Sequence, residues 1–158
     1  MDAFPKKQVG AIKQRRAEPE IEWKYQPRIT PGEYPGYTRT ASIYHDGQFK
    51  RWVCAVQVDV LRSDLTTVLA RLTWFLNLGN GEKPNATRRK NYWLEWVRAN
   101  DAPPSRKDRL SPKVFTKRFA SVTVADTTKT FKQATVTAEG AYSVIRGVVR
   151  WESGRGER

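Results

Sequence analysis

The stretch FKRWVCAVQVDVL, residues 49–61, decides the fold, because apolar and polar side chains alternate along it. The residues of one face are Trp52, Cys54, Val56, Val58 and Val60. The polar residues of the other face are Arg51, Gln57 and Asp59. A period of two is typical of a β-strand with one buried face, so this stretch predicts a strand whose Arg51 side faces solvent.

Four neighbouring segments predict further strands. VLARLTWFLNL, residues 68–78, has the same period and places Arg71, Thr73 and Phe75 opposite its most apolar face. PGEYPGYTRTASIY, residues 31–44, precedes the opening stretch, although Pro35 and Gly36 interrupt it. KVFTKRFASVTVAD (113–126) and AYSVIRGVVRW (141–151) predict the last two strands, with a long loop or hairpin over residues 127–140 between them.

One segment changes to a helical period. In NATRRKNYWLEWVRAN, residues 85–100, the aromatic and apolar positions of one helical face are Tyr92, Trp93, Trp96 and Val97. Asn85 or Thr87 can cap the start, which places the basic triplet 88–90 in the first turn. The helix is expected to end at Asn100, before the two prolines of APP.

The predicted order is therefore β-β-β-α-β-β. This is a mainly β fold, namely a five-stranded OB-like barrel with one helix between strands three and four. Residues 1–30 are predicted to be a basic, partly disordered N-terminal arm. Residues 31–151 form the OB-fold-like domain, and residues 152–158 form a polar tail.

Charge points to a polyanionic partner. The 158 residues include 29 Lys and Arg against 16 Asp and Glu, a formal net charge of +13. Such an excess opposes compaction by self-repulsion, and nucleic acid is the leading explanation. A membrane surface is the rival, but the sequence contains no basic amphipathic helix with a wide apolar face. No membrane span or secretory signal is apparent either, so we expect a cytoplasmic protein of a bacterium or a phage-infected cell.

The residue counts exclude several chemistries within one chain. One Cys and one His cannot supply a structural zinc site or a two-histidine metal nuclease, and one Cys cannot form an internal disulfide. GNGEKPN lacks the spacing of a phosphate-binding loop. We expect no cofactor, metal or catalytic residue. The acids Asp46, Asp59 and Asp64, and the EIEWK motif containing Glu22, leave a small magnesium nuclease as a minor alternative.

Cations interleaved with aromatic residues form the candidate nucleic-acid site. Between Lys83 and Arg118 stand eleven Lys and Arg against three acids. The predicted phosphate contacts are Lys50, Arg51, Arg71, Lys117 and Arg118, and the predicted base-stacking residues are Phe49, Phe75 and Phe131. The further cations of the candidate site are Arg88, Arg89, Lys90, Arg106, Lys107, Lys129 and Lys132.

The layout resembles a family of phage and mobile-element OB-fold proteins that bind single-stranded DNA or assist replication. The resemblance is carried by PGEY (31–34), the opening stretch, FLNLG (75–79), WVRAN (96–100) and YSVIRGVV (142–149). LSPKVFTKRFASVTVAD (110–126) stands where the family has a strand containing Gly-Lys. The resemblance implies single-stranded DNA binding in replication, recombination or repair, without catalysis.

Two principal hypotheses follow for function. The first is a non-enzymatic module that binds single-stranded DNA or RNA along the outer faces of strands two and three. The second is an interaction protein that inhibits or adapts a nucleic-acid-processing enzyme, using its charge to compete at that enzyme's groove. Oligo-dT binding separates them, because the second predicts weak binding to free DNA.

Overall fold

The computed structural model describes residues 18–22, 24–106, 110–128, 135, 137 and 139–152. These residues form five antiparallel strands in one sheet and one α-helix. The elements are β1 (Gly32–Asp46), β2 (Arg51–Leu61), β3 (Val68–Asn77), α1 (Asn91–Asn100), β4 (Arg118–Asp126) and β5 (Ser143–Trp151). The strand order is β3-β2-β1-β4-β5, and within the described residues no ladder joins β3 to β5, so the sheet is not closed.

The alternating sequence of β2 produces the buried face that it predicts. Val56, Val58 and Val60 are at most 1% exposed and pack against Leu72 and Trp74 of β3 within the core. The short connection between β2 and β3 fixes an antiparallel register. The predicted strands over residues 49–61 and 68–78 are therefore confirmed, with ends displaced by one or two residues.

Strand β1 is long enough to pair with two other strands, β4 and β2. Its first half, Gly32–Thr38, pairs with β4, and Gly36–Asp46 pairs with β2. The two ladders overlap at Gly36, where a Cβ atom would approach Val58 to 3.2 Å. Pro35 precedes the part of β1 that pairs with β2, so its missing N–H costs that ladder nothing. The dipeptide that interrupts the sequence pattern therefore lies within the strand.

The helix is shorter at its start than the sequence predicts. It begins at Asn91, and its N-cap is Lys90, which forms no side-chain capping bond. The predicted caps at Asn85 and Thr87 are wrong: the Lys90 N–H donates to the Thr87 carbonyl and closes a separate turn. The basic triplet 88–90 therefore precedes the helix. The predicted end at Asn100 is confirmed, and Asp101 follows it in the left-handed conformation.

The start of the predicted fourth strand is also wrong. Residues Pro112–Phe115 form a 3-10 turn, whose cap Ser111 accepts a bond from the Lys113 N–H. Proline at the first helical position favours a turn over a strand. Lys117 then adopts φ 57°, and β4 begins only at Arg118. The fifth predicted strand is confirmed over Ser143–Trp151.

An aromatic cluster holds the helix and the 3-10 turn against the sheet. Phe115 has its ring centroid 5.6 Å from those of Trp74 and Tyr92, and 5.9 Å from that of Trp151. The Tyr92 hydroxyl donates to the Leu110 carbonyl at 2.6 Å. These contacts fix the helix beside β3, so that the residues preceding it lie near the end of that strand.

The described end of the predicted N-terminal arm docks on the sheet. Arg28 forms an ion pair of 3.0 Å with Asp126 at the end of β4, and the Ile29 N–H donates to the Ser143 hydroxyl. Most of the predicted loop or hairpin over residues 127–140 lies outside the described residues. Among those that are described, no helix has the length and apolar character needed to cross a membrane.

Candidate nucleic-acid interface

Strands β1, β2 and β3 present a face directed away from the core, which we call the outer face. Its cross-strand rows are Tyr44–Val53–Asn77, Ser42–Ala55–Phe75, Thr40–Gln57–Thr73 and Tyr37–Asp59–Arg71. Six residues separate Arg71 from Asn77, which corresponds to about 20 Å along β3. Apart from Gln57 and Phe75, the two middle rows consist of small residues, so the outer face is shallow beside those two side chains.

Aromatic rings stand along this surface. Phe75 is 56% exposed and Tyr44 is 41% exposed, although both residues lie within strands and not in turns. Across the β1–β4 ladder, Tyr37 lies against Phe119 with ring centroids 4.9 Å apart, and Phe119 is 41% exposed. The sequence predicts Phe75 as a stacking residue but misses the other three, because their placement depends on the pairing of β1 with its neighbours.

A pocket of about 320 Å³ opens at the end of the outer face where β2 begins and β3 ends. Its lining residues are Arg51, Phe75, Leu76, Asn77, Arg89, Lys90 and Asn91. Four of these, Arg51, Phe75, Arg89 and Lys90, belong to the predicted site. They come from three separate segments of the chain, and the fold brings them together around one cavity. We call it the cationic pocket.

Arg51 is the first residue of β2, and contacts on both sides of it restrict its position. Its guanidinium carbon lies 4.8 Å from the centroid of the Phe49 ring, a cation–π contact. Its Nε is buried and has no hydrogen-bond partner among the described residues. The neighbouring Trp52 anchors this part of the backbone. Its backbone N–H donates to the Gly79 carbonyl at 2.7 Å, and its indole N–H donates to the Gly81 carbonyl. Lys50, at φ 53°, is exposed in the turn.

Two predicted phosphate contacts already have partners within the protein. Arg71 lies 3.4 Å from the Asp59 carboxylate, which Arg39 also approaches at 3.8 Å. Arg118 stacks on Trp151 and donates to the carbonyls of Ala99 and Val114, at 2.7 and 3.1 Å. The guanidinium of Arg118 is thus turned toward the protein, which makes it a structural residue and a poor candidate for a phosphate contact.

The remaining predicted cations are distributed over the surface. Arg88 lies over the ring of Trp93, 5.9 Å from its centroid, and Arg106 and Lys117 are exposed. The Lys117 N–H donates to the Thr38 carbonyl, which places this lysine near the far end of the outer face. The predicted site residues outside the described part of the chain are Lys107, Lys129, Phe131 and Lys132.

The acids considered for magnesium are engaged in turns and ion pairs. Asp46 accepts the Gln48 N–H at 2.9 Å, and Asp64 accepts the Thr66 and Thr67 N–H groups. A hydrogen bond from the Thr67 hydroxyl, with the N–H bonds of Thr67 and Thr66, holds the pKa of the Asp64 carboxyl below its ordinary value. Within the described residues, no three His, Cys, Asp or Glu side chains group together as metal ligands would. Burial raises the pKa of the Cys54 thiol to about 11, far from that of a reactive thiolate.

No protein-family model matches the chain, and no curated protein matches its sequence.

Proposed function

We propose that the chain is a non-enzymatic protein that binds single-stranded nucleic acid on its outer face and in the cationic pocket. The observation that carries this proposal is the convergence of Arg51, Arg89 and Lys90 beside the exposed ring of Phe75. Cations that neutralise phosphates, together with rings on which bases stack, are the two components of sequence-independent single-strand binding.

The ring of Phe75 favours single strands over duplex. In a duplex each base already stacks on its neighbours, so an exposed ring on a sheet gains little from it. In a single strand the base faces are free, and stacking on one aromatic side chain contributes roughly 1–3 kcal/mol. The β2 residues between Phe75 and Tyr44, Val53 and Ala55, are buried, so a single strand that crosses β2 would rest on the exposed rings of Phe75 and Tyr44.

The strand order and the position of the helix support the proposal that the open sheet is OB-like. The edge strands β3 and β5 approach each other, with the ring centroids of Trp74 and Trp151 6.2 Å apart. The helix lies between β3 and β4 in the chain, as in OB folds. With the resemblance described above, we extend the proposal to single-stranded DNA in the replication, recombination or repair of a phage or mobile element, in the bacterial cytoplasm.

A fluorescence titration with oligo-dT at increasing salt concentration tests the proposal, with a duplex of equal length beside it. We expect binding to the single strand that weakens linearly in log–log form with salt, at a slope of about −0.7 per phosphate contacted. Absence of binding to oligo-dT at low salt, or binding that salt leaves unchanged, would overturn the proposal.

One observation favours the interaction protein as a second candidate. In the described residues β1 pairs with β4 only as far as Thr38, so residues 39–46 offer a free strand edge. Ile43 in this edge is 38% exposed and borders an apolar cleft of about 430 Å³ that Leu78, Tyr92 and Leu110 also line. Free edges accept strands of other proteins. A pull-down that yields a stoichiometric complex, with weak oligo-dT binding, would support this candidate.

A further inference from the structure

The cationic pocket carries charge that the protein itself does not neutralise. Three of its seven lining residues, Arg51, Arg89 and Lys90, are cations, and none is a carboxylate. Within the described residues, no side-chain hydrogen bond or ion pair involves any of the three cationic groups; Arg51 has only its ring contact with Phe49. Like charges held around one cavity repel one another, so an anion bound there would relieve the repulsion.

Six other arginines contact a carboxylate or backbone carbonyls of the protein: Arg28, Arg39, Arg71, Arg98, Arg118 and Arg150. Arg62 and Arg146 are exposed and make no such contact with the described residues. The fold therefore neutralises or uses its arginine side chains over much of the described surface. What distinguishes Arg51 and Arg89 from Arg62 and Arg146 is that they line one cavity together with Lys90 and the exposed ring of Phe75.

We propose that the cationic pocket is a phosphate subsite for one nucleotide unit, which rests on the proposed function. The phosphate lies between the guanidinium groups of Arg51 and Arg89 and the ammonium of Lys90, and the attached base stacks on Phe75. Guanidinium groups match phosphate oxygens in a bidentate geometry, which an ammonium complements as a point charge. A volume of about 320 Å³ is within the range of small-ligand pockets.

Contacts of the neighbouring backbone hold two of the residues that line this subsite, Arg51 and Lys90. Arg51 is fixed by Phe49 and by the anchored Trp52, and Lys90 is fixed by the turn that precedes α1. Gly79 brings these two parts together, because its φ of 87° suits glycine and a Cβ there would lie 3.3 Å from the Lys90 ammonium. Two of the three cations are thus carried by anchored backbone segments, and the single strand would enter the outer face from the phosphate that they bind.

Mononucleotide binding, followed by amide and arginine Nε resonances, tests the subsite directly. The ligands are inorganic phosphate, thymidine and thymidine 5′-monophosphate. We expect the monophosphate to shift the resonances of Arg51, Phe75 and Asn91, inorganic phosphate to shift those of Arg51 more weakly, and thymidine to have little effect. Shifts by thymidine equal to those by its monophosphate, or shifts spread over all surface cations, would overturn the phosphate assignment.

A double variant and a matched control separate the subsite from overall charge. Arg51→Gln/Arg89→Gln removes two pocket charges, whereas Arg62→Gln/Arg146→Gln removes two exposed arginine charges elsewhere. We expect the pocket variant to lose the monophosphate shifts, to bind oligo-dT at least about tenfold more weakly and to lower the salt slope by about 0.7, the value for one phosphate contact. The control should retain the monophosphate shifts and lose less than half as much affinity on a logarithmic scale.

The outcomes distinguish the subsite from the proposed function. If both double variants bind oligo-dT alike and with equal salt slopes, the subsite is refuted while single-strand binding stands. If the wild type binds the monophosphate in the pocket but never oligo-dT, the proposed function is refuted and the pocket stands as a mononucleotide site. Phosphate as a free ion is separated from nucleotide phosphate by the ratio of the two affinities, which the stacking of the base on Phe75 should raise at least fivefold.

Discussion

The guanidinium of Arg118 lies over the indole ring of Trp151, 4.7 Å from its centroid. The same group donates to the carbonyls of Ala99 and Val114, which end the helix and the 3-10 turn. One side chain therefore joins the start of β4, the end of β5, the helix and the turn. Hydrogen bonds from a charged donor contribute about 1.5–3 kcal/mol each when the acceptor would otherwise be left buried.

We expect Arg118→Met to lower the free energy of unfolding by about 3 kcal/mol, because methionine fills the site but leaves those carbonyls without a donor. Urea denaturation measures this loss. The neighbouring exposed Lys117→Met serves as the control, with a change within about 0.5 kcal/mol. At temperatures where the Arg118 variant is folded, its oligo-dT affinity should stay within about threefold of the wild type, as for the loss of one distant charge. A stable variant with a large loss of affinity would instead make Arg118 a phosphate contact.

The position of Arg118 also shows where prediction from sequence ends. Periodicity identifies β2 and β3, and along β3 burial follows the alternation. In β2 the predicted buried face is buried, but Val53 and Ala55 on the opposite face, which the alternation predicts to face solvent, are buried as well. The segment before Arg118 reads as strand by composition, but a 3-10 turn and the left-handed Lys117 reset the alternation there. Those features depend on tertiary contacts of Phe115, which no local pattern contains.

Some residues of the candidate site are brought together by neighbouring strands, and others only by contacts between distant parts of the chain. Arg51 and Phe75 lie near each other because the short β2–β3 connection fixes a register in which Val53 opposes Asn77, and this can be read from the sequence. Arg89 joins them only because the aromatic contacts of α1 place the helix beside β3. The contact of Tyr37 with Phe119 requires the pairing of β1 with β4, which is distant in sequence and has no local signal.

The overlap of the two ladders at Gly36 should tolerate no larger side chain. We expect Gly36→Val to lower the free energy of unfolding by about 2–3 kcal/mol, because a Cβ would already lie 3.2 Å from a Val58 methyl group and 3.4 Å from Val122. Gly147→Ala is the matched control, since a Cβ there meets nothing within 4 Å and alanine restricts the unfolded chain. Equal denaturation midpoints for both variants would show that the β1 crossing is loosely packed.

Glu95 gives the stability a pH dependence of defined sign. Burial raises the pKa of this carboxyl, and the ion pair with Arg98 at 2.8 Å only partly offsets it. With the folded-state pKa above the unfolded-state value, its contribution is complete below the unfolded-state pKa and is lost as pH rises through the folded-state pKa. We expect the stability of the wild type relative to Glu95→Gln, measured by urea denaturation, to fall as the pH rises above the ordinary pKa of a glutamate, about 4.3.

Asp64 should show the opposite dependence and so serves as the comparison for Glu95. The hydroxyl and the N–H of Thr67, with the N–H of Thr66, favour the ionised carboxylate and lower its pKa. Its contribution is present above the unfolded-state pKa and is lost as pH falls through the folded-state pKa. Relative to Asp64→Asn, the wild type should lose stability on acidification. Profiles that change in the same direction would contradict the assignment for whichever residue shows the wrong sign.

Phe75 is the residue whose loss should separate binding from folding. Its ring is more than half exposed, so Phe75→Ala removes little buried area and should change the free energy of unfolding by less than about 1 kcal/mol. Loss of one stacked base, at roughly 1–3 kcal/mol, should weaken oligo-dT binding about five- to 150-fold and leave the salt slope unchanged, because no phosphate contact is removed.

The matched control for Phe75 is Leu94→Ala, an exposed apolar residue of α1. It should leave oligo-dT affinity unchanged, whereas Phe75→Trp should restore or strengthen binding through its larger ring. If Phe75→Ala and Leu94→Ala bind oligo-dT equally well, base stacking on the outer face is excluded at this position. The affinity would then come from phosphate contacts or from other exposed rings, such as those of Tyr44 and Phe119.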